Sequence, residues 1–115
     1  KGIQRAEKKV DREAKQGIIA SYIHQGAQVV ALVELNCETD FVARTDKFIA
    51  LGKEIAMQVA SMKPATVDEL MGQAYIRDVK LTIKDLVKST AGIVGENIVI
   101  ARFTRMAVGE TAKQE

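Results

Sequence analysis

The 115-residue sequence has little of several residue types: one cysteine, one histidine, one proline and no tryptophan. A single cysteine cannot form an internal disulfide, which excludes a disulfide framework and is typical of a reducing compartment. We therefore expect the protein in the cytoplasm, with the interior of an organelle as the alternative. Hydrophobic residues make up 47% and charged residues 28% of the chain, which suits one domain with one modest core.

Long apolar runs and a dominant charge are also absent. No apolar run approaches the roughly 20 residues that span a bilayer, so we expect no membrane partner. The net charge is +2, and two tyrosines with three phenylalanines are too few for a base-stacking platform, so we expect no direct nucleic-acid binding. Acids interleave the basic first segment, which favours a solvated helix over RNA contact; its basic residues are Lys1, Arg5, Lys8, Lys9, Arg12 and Lys15.

Residues suited to catalysis are sparse. Thiol catalysis needs a base within hydrogen-bond reach, and His24 and Cys37 are the only candidates. If a hairpin turns at Gln25-Gly26, His24 pairs opposite Ala27 and Cys37 lies about 33 Å away, because a strand rises ~3.3 Å per residue. We therefore interpret His24 as a strand-end residue and Cys37 as a buried small hydrophobe.

The sequence indicates no metal or phosphate site either. Glu38 and Asp40 form a weak pair without the alternating acids of a calcium loop, and no Cys or His pair has ligand spacing. The glycines of Gly92-Ile93-Val94-Gly95 lie at a predicted helix end, whereas a phosphate-binding loop follows a strand. We expect no cofactor and no enzymatic activity, and the favoured class is a protein-binding module.

Apolar spacing divides the chain into three parts. A thin apolar stripe predicts a basic connector helix over residues 1–16, ended by Gly17. Residues 17–109 contain the predicted core domain, and residues 110–115 form a predicted flexible tail. Because the sequence starts at Lys1 without an initiator Met, we expect upstream residues that were removed or that belong to another domain.

Hydroxyl residues predict where the helices of the core begin. Thr45 caps a helix that ends before Pro64; its predicted buried face comprises Phe48, Leu51, Gly52, Ile55, Ala56, Val59 and Met62. Thr66 opens a capping box and a short helix. Thr82 opens a weaker capping box and a longer helix, which Gly95 ends.

Three segments rich in β-branched residues predict the strands. Ile18–His24 and Gln28–Asn36 form a hairpin, and Asn97–Val108 is the last strand. The result is an α+β fold, a two-layer sandwich in which a three-stranded, mostly antiparallel sheet has helices on one face. Since the strands are apolar on both faces, we expect an exposed apolar patch on the other side. A missing segment, a partner or a second copy would cover it.

The stretch Asn36–Val42 is the most informative part of the sequence, because an apolar strand ends there in acids, hydroxyls and one aromatic. Phe41 lies beside Asp40 at the predicted strand-to-helix corner. It is either a core plug or a contact aimed at a partner, and the usual burial of phenylalanine favours the plug.

The surrounding residues shift that balance, because they closely resemble elongation factor Ts. The resemblance rests on Tyr22-Ile23-His24, on Val33 through Arg44 and on Gly95-Glu96-Asn97-Ile98, and it covers nearly the whole chain. It implies a guanine nucleotide exchange factor that binds the translational GTPase elongation factor Tu with GDP or GTP and performs no covalent chemistry.

The resemblance also implies a site at Thr39, Asp40, Phe41 and Val42. Phe41 is expected to wedge between helices of the GTPase domain beside its magnesium and phosphate site, while Asp40 bonds to the displaced elements. The family's amino-terminal ubiquitin-associated-like domain has no counterpart in this sequence, and Lys63–Gln73 is shorter than the family's helical insertion. For such a single-core form, the family implies a homodimer as one option.

A structural module is the alternative from another class: a dimerising or ribosome-associated domain that uses its basic helix and open sheet. Phe41 discriminates between the two interpretations. A partner contact requires its side chain to be exposed in the free protein, whereas a structural role requires it to be buried.

Overall fold

The computed structural model describes residues 13–110. Most of the predicted connector helix and residues 111–115 of the predicted tail lie outside the described residues. Residues 13–15 have no regular structure, and Gly17, predicted to end a helix, is the second residue of the first strand. A Cβ atom at Gly17 would lie 2.2 Å from the carbonyl oxygen of Leu35, so glycine permits the close approach of the neighbouring strand.

Five strands and four α-helices follow one another in the described residues. In chain order they are β1 (Gln16–Ile23), β2 (Val29–Cys37), α1 (Asp40–Ala43), α2 (Asp46–Met62), α3 (Val67–Gly72), β3 (Ala74–Tyr75), β4 (Asp78–Thr82), α4 (Ile83–Val94) and β5 (Val99–Ala107).

The predicted three-stranded sheet is confirmed, with strand order β1-β2-β5 and both pairs antiparallel. Helices cover one face, where alternate residues of β2 (Ala31, Val33 and Leu35) are fully buried. They share one core with Phe48 and Ile55 of α2. The predicted two-layer α+β sandwich is therefore the observed architecture.

The hairpin turn differs from the prediction by two residues. The amide of His24 donates to the carbonyl of Val29 at 2.8 Å, so His24 lies opposite Val29 and not opposite Ala27. Gly26 and Ala27 both have positive φ, 82° and 58°. The sequence predicted a turn of two residues because only Gly26 was expected to have positive φ. Positive φ at an alanine such as Ala27 is uncommon, so the longer turn was not predicted.

Helix α2 supplies much of the core. Thr45 caps it by accepting from the amide of Phe48 at 3.3 Å, as predicted. A Cβ atom at Gly52 would lie 2.9 Å from the Cβ of Ala20, so the glycine allows α2 to pack closely on β1. Met62 was predicted on the buried face but is exposed at the last position of the helix.

Of the two predicted capping boxes, the one at Thr82, predicted to be the weaker, is complete, and the one at Thr66 is not. Thr82 and Asp85 make both reciprocal bonds at 3.0 Å and open α4. At α3, Thr66 accepts from the amide of Glu69, but the Glu69 carboxylate accepts from the amide of Ala65. The glutamate is one methylene longer than aspartate and bonds one residue further back. Helix α4 ends at Gly95 as predicted, with φ of 81°.

A small antiparallel ribbon of β3 and β4 was not predicted. The fully buried side chain of Gln58 on α2 holds it. Gln58 donates to the carbonyl of Ala74 at 3.0 Å and accepts from the amide of Ile76 at 3.1 Å. Backbone groups that the short ribbon leaves unpaired are thereby satisfied.

The end of β5 is fastened to α2 through Arg105. Its guanidinium donates to the carbonyl of Ala60 at 2.9 Å and to Glu110 at 3.1 Å, while Lys63 forms an ion pair with Glu110 at 3.2 Å. Glu110, the first residue of the predicted flexible tail, is therefore held against the domain.

Candidate functional site

The corner between β2 and α2 contains all four residues that the sequence predicted as a partner site. β2 ends at Cys37, Thr39 is the N-cap of the one-turn helix α1, and Thr45 caps α2. Asp40 occupies the first turn of α1, where a negative charge interacts favourably with the amide groups of a helix start. Two helix starts within a few residues therefore shape this corner.

Thr39 is fixed by its backbone and its side chain. Its hydroxyl donates to Glu96 Oε2 at 2.7 Å and accepts from the amide of Val42 at 3.3 Å. Its amide donates to Glu96 Oε1 at 3.1 Å, and its carbonyl accepts from the thiol of Cys37 at 3.1 Å. Every polar atom of Thr39, which precedes the predicted contact pair Asp40 and Phe41, thus forms a hydrogen bond.

A reciprocal pair of carboxylates joins the corner to the loop between α4 and β5. Glu96 also accepts from the amide of Glu38 at 3.1 Å, and Glu38 in turn accepts from the amide of Asn97 at 2.6 Å. Hydrogen bonds to charged groups contribute about 1.5–3 kcal/mol each, more than neutral ones. We name this set of bonds between residues 38–39 and residues 96–97 the carboxylate brace.

Phe41 is 81% exposed, the highest value among the large apolar side chains of the described residues. The core-plug interpretation is therefore wrong. Its neighbours in α1 fill the core in its place: Ala43 is buried, and Val42 is half-buried and packs against the core. Because Val42 and Ala43 anchor one side of the turn, Phe41 is left on the other side, in solvent.

Asp40 is exposed beside Phe41 and forms an ion pair with Arg44 at 3.1 Å, one helical turn further on. Both side chains are more than half exposed, and such pairs contribute only about 0.3–0.5 kcal/mol. The carboxylate of Asp40 can therefore exchange Arg44 for another cation or donor at little cost.

His24 and Cys37 lie at opposite ends of the hairpin, as predicted, although the longer turn shortens their separation. Cys37 pairs with Gln16, eight positions from His24 along β1, or roughly 26 Å. Burial and, secondarily, the nearby Glu96 raise the pKa of the Cys37 thiol to about 11. The thiol is therefore neutral at physiological pH and is not an activated nucleophile.

The acids of the corner do not converge on a common point. Glu38 bonds to the α4–β5 loop and Asp40 to Arg44. Within residues 13–110, no group of three or more His, Cys, Asp or Glu side chains could hold a metal ion. No helix in this part of the chain is long and apolar enough to cross a bilayer.

The outer face of the sheet, away from the helices, is a second exposed apolar region. Ile23, Val30 and Met106 form one cross-strand row, and Leu32 lies at the centre of the next. Beyond them Arg102 pairs with Glu34 at 2.7 Å, and this bond and one from Asn36 lower the pKa of the Glu34 carboxyl. Exposure of this face agrees with the expected apolar patch.

Glu96 is the residue of this site that the residue patterns did not single out. It belongs to the Gly95-Glu96-Asn97-Ile98 string, which supported the resemblance but gave no sign of contact with a segment 57 positions earlier. The position of Glu96 is the one sequence signal for this contact: a glutamate directly after a helix-ending glycine can reach across to another element.

Comparison with known proteins gives a consistent family. The family model "Elongation factor TS" matches residues 38–114. "Elongation factor Ts" of Synechococcus sp. (strain CC9605) is 39% identical, with 100% of this chain and 73% of the relative aligned. "Elongation factor Ts" of Coprothermobacter proteolyticus is also 39% identical, with 96% and 79% aligned.

The match extends across the chain and includes both sides of the carboxylate brace, since residues 38–39 and 96–97 fall within the family match. Both alignments are longer than the 115 residues of this chain, so the relatives contain residues within the aligned region that this chain lacks. The family match over residues 38–114 and the 39% identity of both relatives show that the chain belongs to the elongation factor Ts family.

Proposed function

We propose that this chain is a guanine nucleotide exchange factor that accelerates release of GDP from elongation factor Tu during translation elongation. It acts by protein binding and is not an enzyme. The observation that carries the proposal is the pairing of an exposed Phe41 with a rigid corner. The family assignment supports it, and we propose that the chain acts where translation occurs, in the cytoplasm or an organelle interior.

Phe41 is the proposed wedge. Moving a phenylalanine from water into an apolar gap between helices contributes about 1.5–3 kcal/mol, which is available to displace elements of the partner. Because Phe41 is already exposed at 81%, binding needs no rearrangement of this chain's own core. Val42 and Thr39 hold the turn from which Phe41 projects.

Asp40 is the proposed polar partner of the wedge. Its ion pair with Arg44 is weak and solvent-exposed, so its carboxylate can bond to backbone or side-chain donors that the wedge displaces. Shifting a magnesium ligand in the GTPase reduces the charge stabilisation that holds the diphosphate. GDP then leaves faster, without any covalent step.

Reciprocity explains how the cycle ends. If the exchange factor weakens nucleotide binding by some factor, nucleotide weakens binding of the exchange factor by the same factor. Rebinding of GTP therefore expels this chain. The maximal acceleration depends on contacts that differ between the nucleotide-bound and nucleotide-free states, whereas uniform contacts only set how much factor is needed.

We further propose a homodimer through the outer sheet face. Ile19, Ile23 and Met106 are each more than half exposed there, and soluble monomers rarely leave such an apolar surface uncovered. A two-fold pairing would bring the same row of each copy together. The Glu34–Arg102 ion pair at the side of the patch would lie near the polar rim.

The experiment that tests the function is release of a fluorescent GDP analogue from elongation factor Tu, with this chain titrated into large excess. We expect release to accelerate and reach a plateau, with a high half-maximal concentration. Fusing the family's amino-terminal domain to this chain should lower that concentration and leave the plateau nearly unchanged. Demonstrated binding with no acceleration at saturation would overturn the proposal.

A further inference from the structure

The helix that displays Phe41 is too short to hold its own orientation. α1 comprises four residues, Asp40–Ala43, whereas isolated helices shorter than about 12–15 residues are marginal in water. Its placement must come from tertiary contacts, which are the packing of Val42 and Ala43 on the core and the bonds at its N-terminal end. Its N-terminal end is Thr39, whose amide and hydroxyl both donate to Glu96.

We propose that Glu96 is a positioning residue of the exchange site, which fixes the direction in which Phe41 projects by holding Thr39 through the carboxylate brace. This inference rests on the proposed exchange function and adds to it a residue outside the Thr39–Val42 string. Glu96 acts through Thr39, because all of its bonds to the corner are to Glu38 and Thr39.

The chemistry of the brace suits this role. A carboxylate has two oxygens that accept hydrogen bonds in a plane. Oε1 of Glu96 accepts from the two consecutive amides of residues 38 and 39, at 3.1 Å each, and Oε2 accepts from the Thr39 hydroxyl at 2.7 Å. Three bonds to one rigid group define both the position and the rotation of the chain that enters α1.

The loop that carries Glu96 is itself anchored. Gly95 ends α4 in the left-handed conformation, Asn97 and Ile98 are buried, and the amide of Asn97 bonds back to Glu38 at 2.6 Å. Glu96 therefore transmits the position of α4 and β5 to the corner. A corner fixed to the core in this way can displace elements of a partner without itself yielding.

Two variants of Glu96 weaken the carboxylate brace to different degrees. Glu96→Ala removes all three acceptor contacts, whereas Glu96→Gln keeps the reach and one oxygen that can accept from the two backbone amides. Glu69→Gln is the matched control, because Glu69 also accepts from a backbone amide, that of Ala65, at 3.1 Å. Glu69 lies beyond the C-terminal end of α2, whereas the corner adjoins the N-terminal end of this 17-residue helix, which is about 25 Å long at ~1.5 Å per residue. Thermal unfolding of each variant shows whether it is folded at the assay temperature.

The first readout is the titration of GDP release. We expect Glu96→Ala to lower the plateau about 10-fold, within the roughly 5- to 150-fold range of typical couplings, with the half-maximal concentration within about 3-fold of wild type. Glu96→Gln should fall between Ala and wild type, and Glu69→Gln should match wild type. A plateau that Glu96→Ala leaves unchanged would overturn the proposal.

The second readout is amide hydrogen exchange in the free chain, which does not depend on elongation factor Tu. We expect faster exchange at residues 38 and 39 in Glu96→Ala, an intermediate rate in Glu96→Gln, and no change there in Glu69→Gln. Unchanged protection would overturn the inference even if the plateau fell. If the wild-type chain gives no acceleration, the proposed function fails, and this measurement still decides whether Glu96 holds the corner. If Glu96→Ala does not fold, both readouts on Glu96→Gln decide it.

Discussion

Two exposed apolar regions of this domain differ in how they are supported. At the corner, a single aromatic side chain projects from a one-turn helix whose N-cap is bonded at every polar atom. On the outer sheet face, apolar side chains from three strands form a broad surface. One region concentrates its exposed apolar area in Phe41, and the other spreads it over residues such as Ile23 and Met106.

The difference teaches that exposure alone does not define a function. A broad apolar surface gains from association in proportion to the area covered, so it suits a broad partner such as a second copy. A lone aromatic on a fixed support covers little area, but it can enter a gap and keep its direction. We therefore propose self-association for the sheet face and the perturbation of the GTPase for the corner.

The largest expected difference in stability is between Phe41→Ala and Phe48→Ala, at positions seven residues apart. Phe48 is fully buried, so Phe48→Ala should cost about 3–5 kcal/mol of unfolding free energy. Phe41→Ala should change it by less than ~0.5 kcal/mol, because that side chain makes few contacts. Urea unfolding of both variants measures this contrast, and comparable losses would contradict the placement of Phe41.

The next largest effect concerns the outer sheet face. Met106→Lys places a charge in the row with Ile23 and Val30 and should weaken self-association about 10-fold or more, which corresponds to ~1.4 kcal/mol. Val79→Lys is the control, because Val79 is equally exposed, 74% against 72%, but lies on β4. Sedimentation equilibrium measures both. A wild-type chain that stays monomeric at millimolar concentration would remove the association argument.

An effect of comparable size is expected at Cys37, beneath the corner. Cys37→Ser keeps a donor for the Thr39 carbonyl but buries a hydroxyl, so it should lower the unfolding free energy by about 1–3 kcal/mol. Acceleration of GDP release should stay measurable. Complete loss of GDP-release acceleration in a folded Cys37→Ser variant would contradict the interpretation that the thiol has no functional role.

The thiol also predicts a pH dependence. Its pKa is raised from 9.0 to about 11 by burial, so its contribution is complete below pH 9 and is lost as the pH rises through about 11. That contribution is on the order of 2–3 kcal/mol. Urea unfolding across this range should show a smaller alkaline loss in Cys37→Ser than in wild type, and identical curves would contradict the shift.

The smallest effect on stability is expected at Asp40. Asp40→Asn breaks an exposed ion pair with Arg44 and should change the unfolding free energy by less than ~0.5 kcal/mol. Its plateau of GDP release should nevertheless fall several-fold, because the amide is a weaker acceptor for displaced groups. A large stability loss with unchanged release would reverse the roles assigned to this residue.

The sequence predicted local features better than distant contacts. The hairpin, the Thr45 cap, the Gly95 helix end and the two-layer fold follow from periodicity and capping residues, which act within a few positions. The β3–β4 ribbon and the carboxylate brace were not predicted, because Gln58 and Glu96 act on segments 15 or more positions away. Exposure of Phe41 also depends on such contacts: Val42 and Ala43 fill the core in its place.

The most direct test of this division of labour is the plateau of GDP release from elongation factor Tu at saturating factor, compared among wild type, Phe41→Ala and Met106→Lys. We predict that Phe41→Ala binds but gives no acceleration, because the corner supplies the perturbation. Met106→Lys should reach the wild-type plateau, because it changes self-association and leaves the corner intact. A wild-type plateau in Phe41→Ala, or a lost plateau in a folded and bound Met106→Lys, would contradict the account.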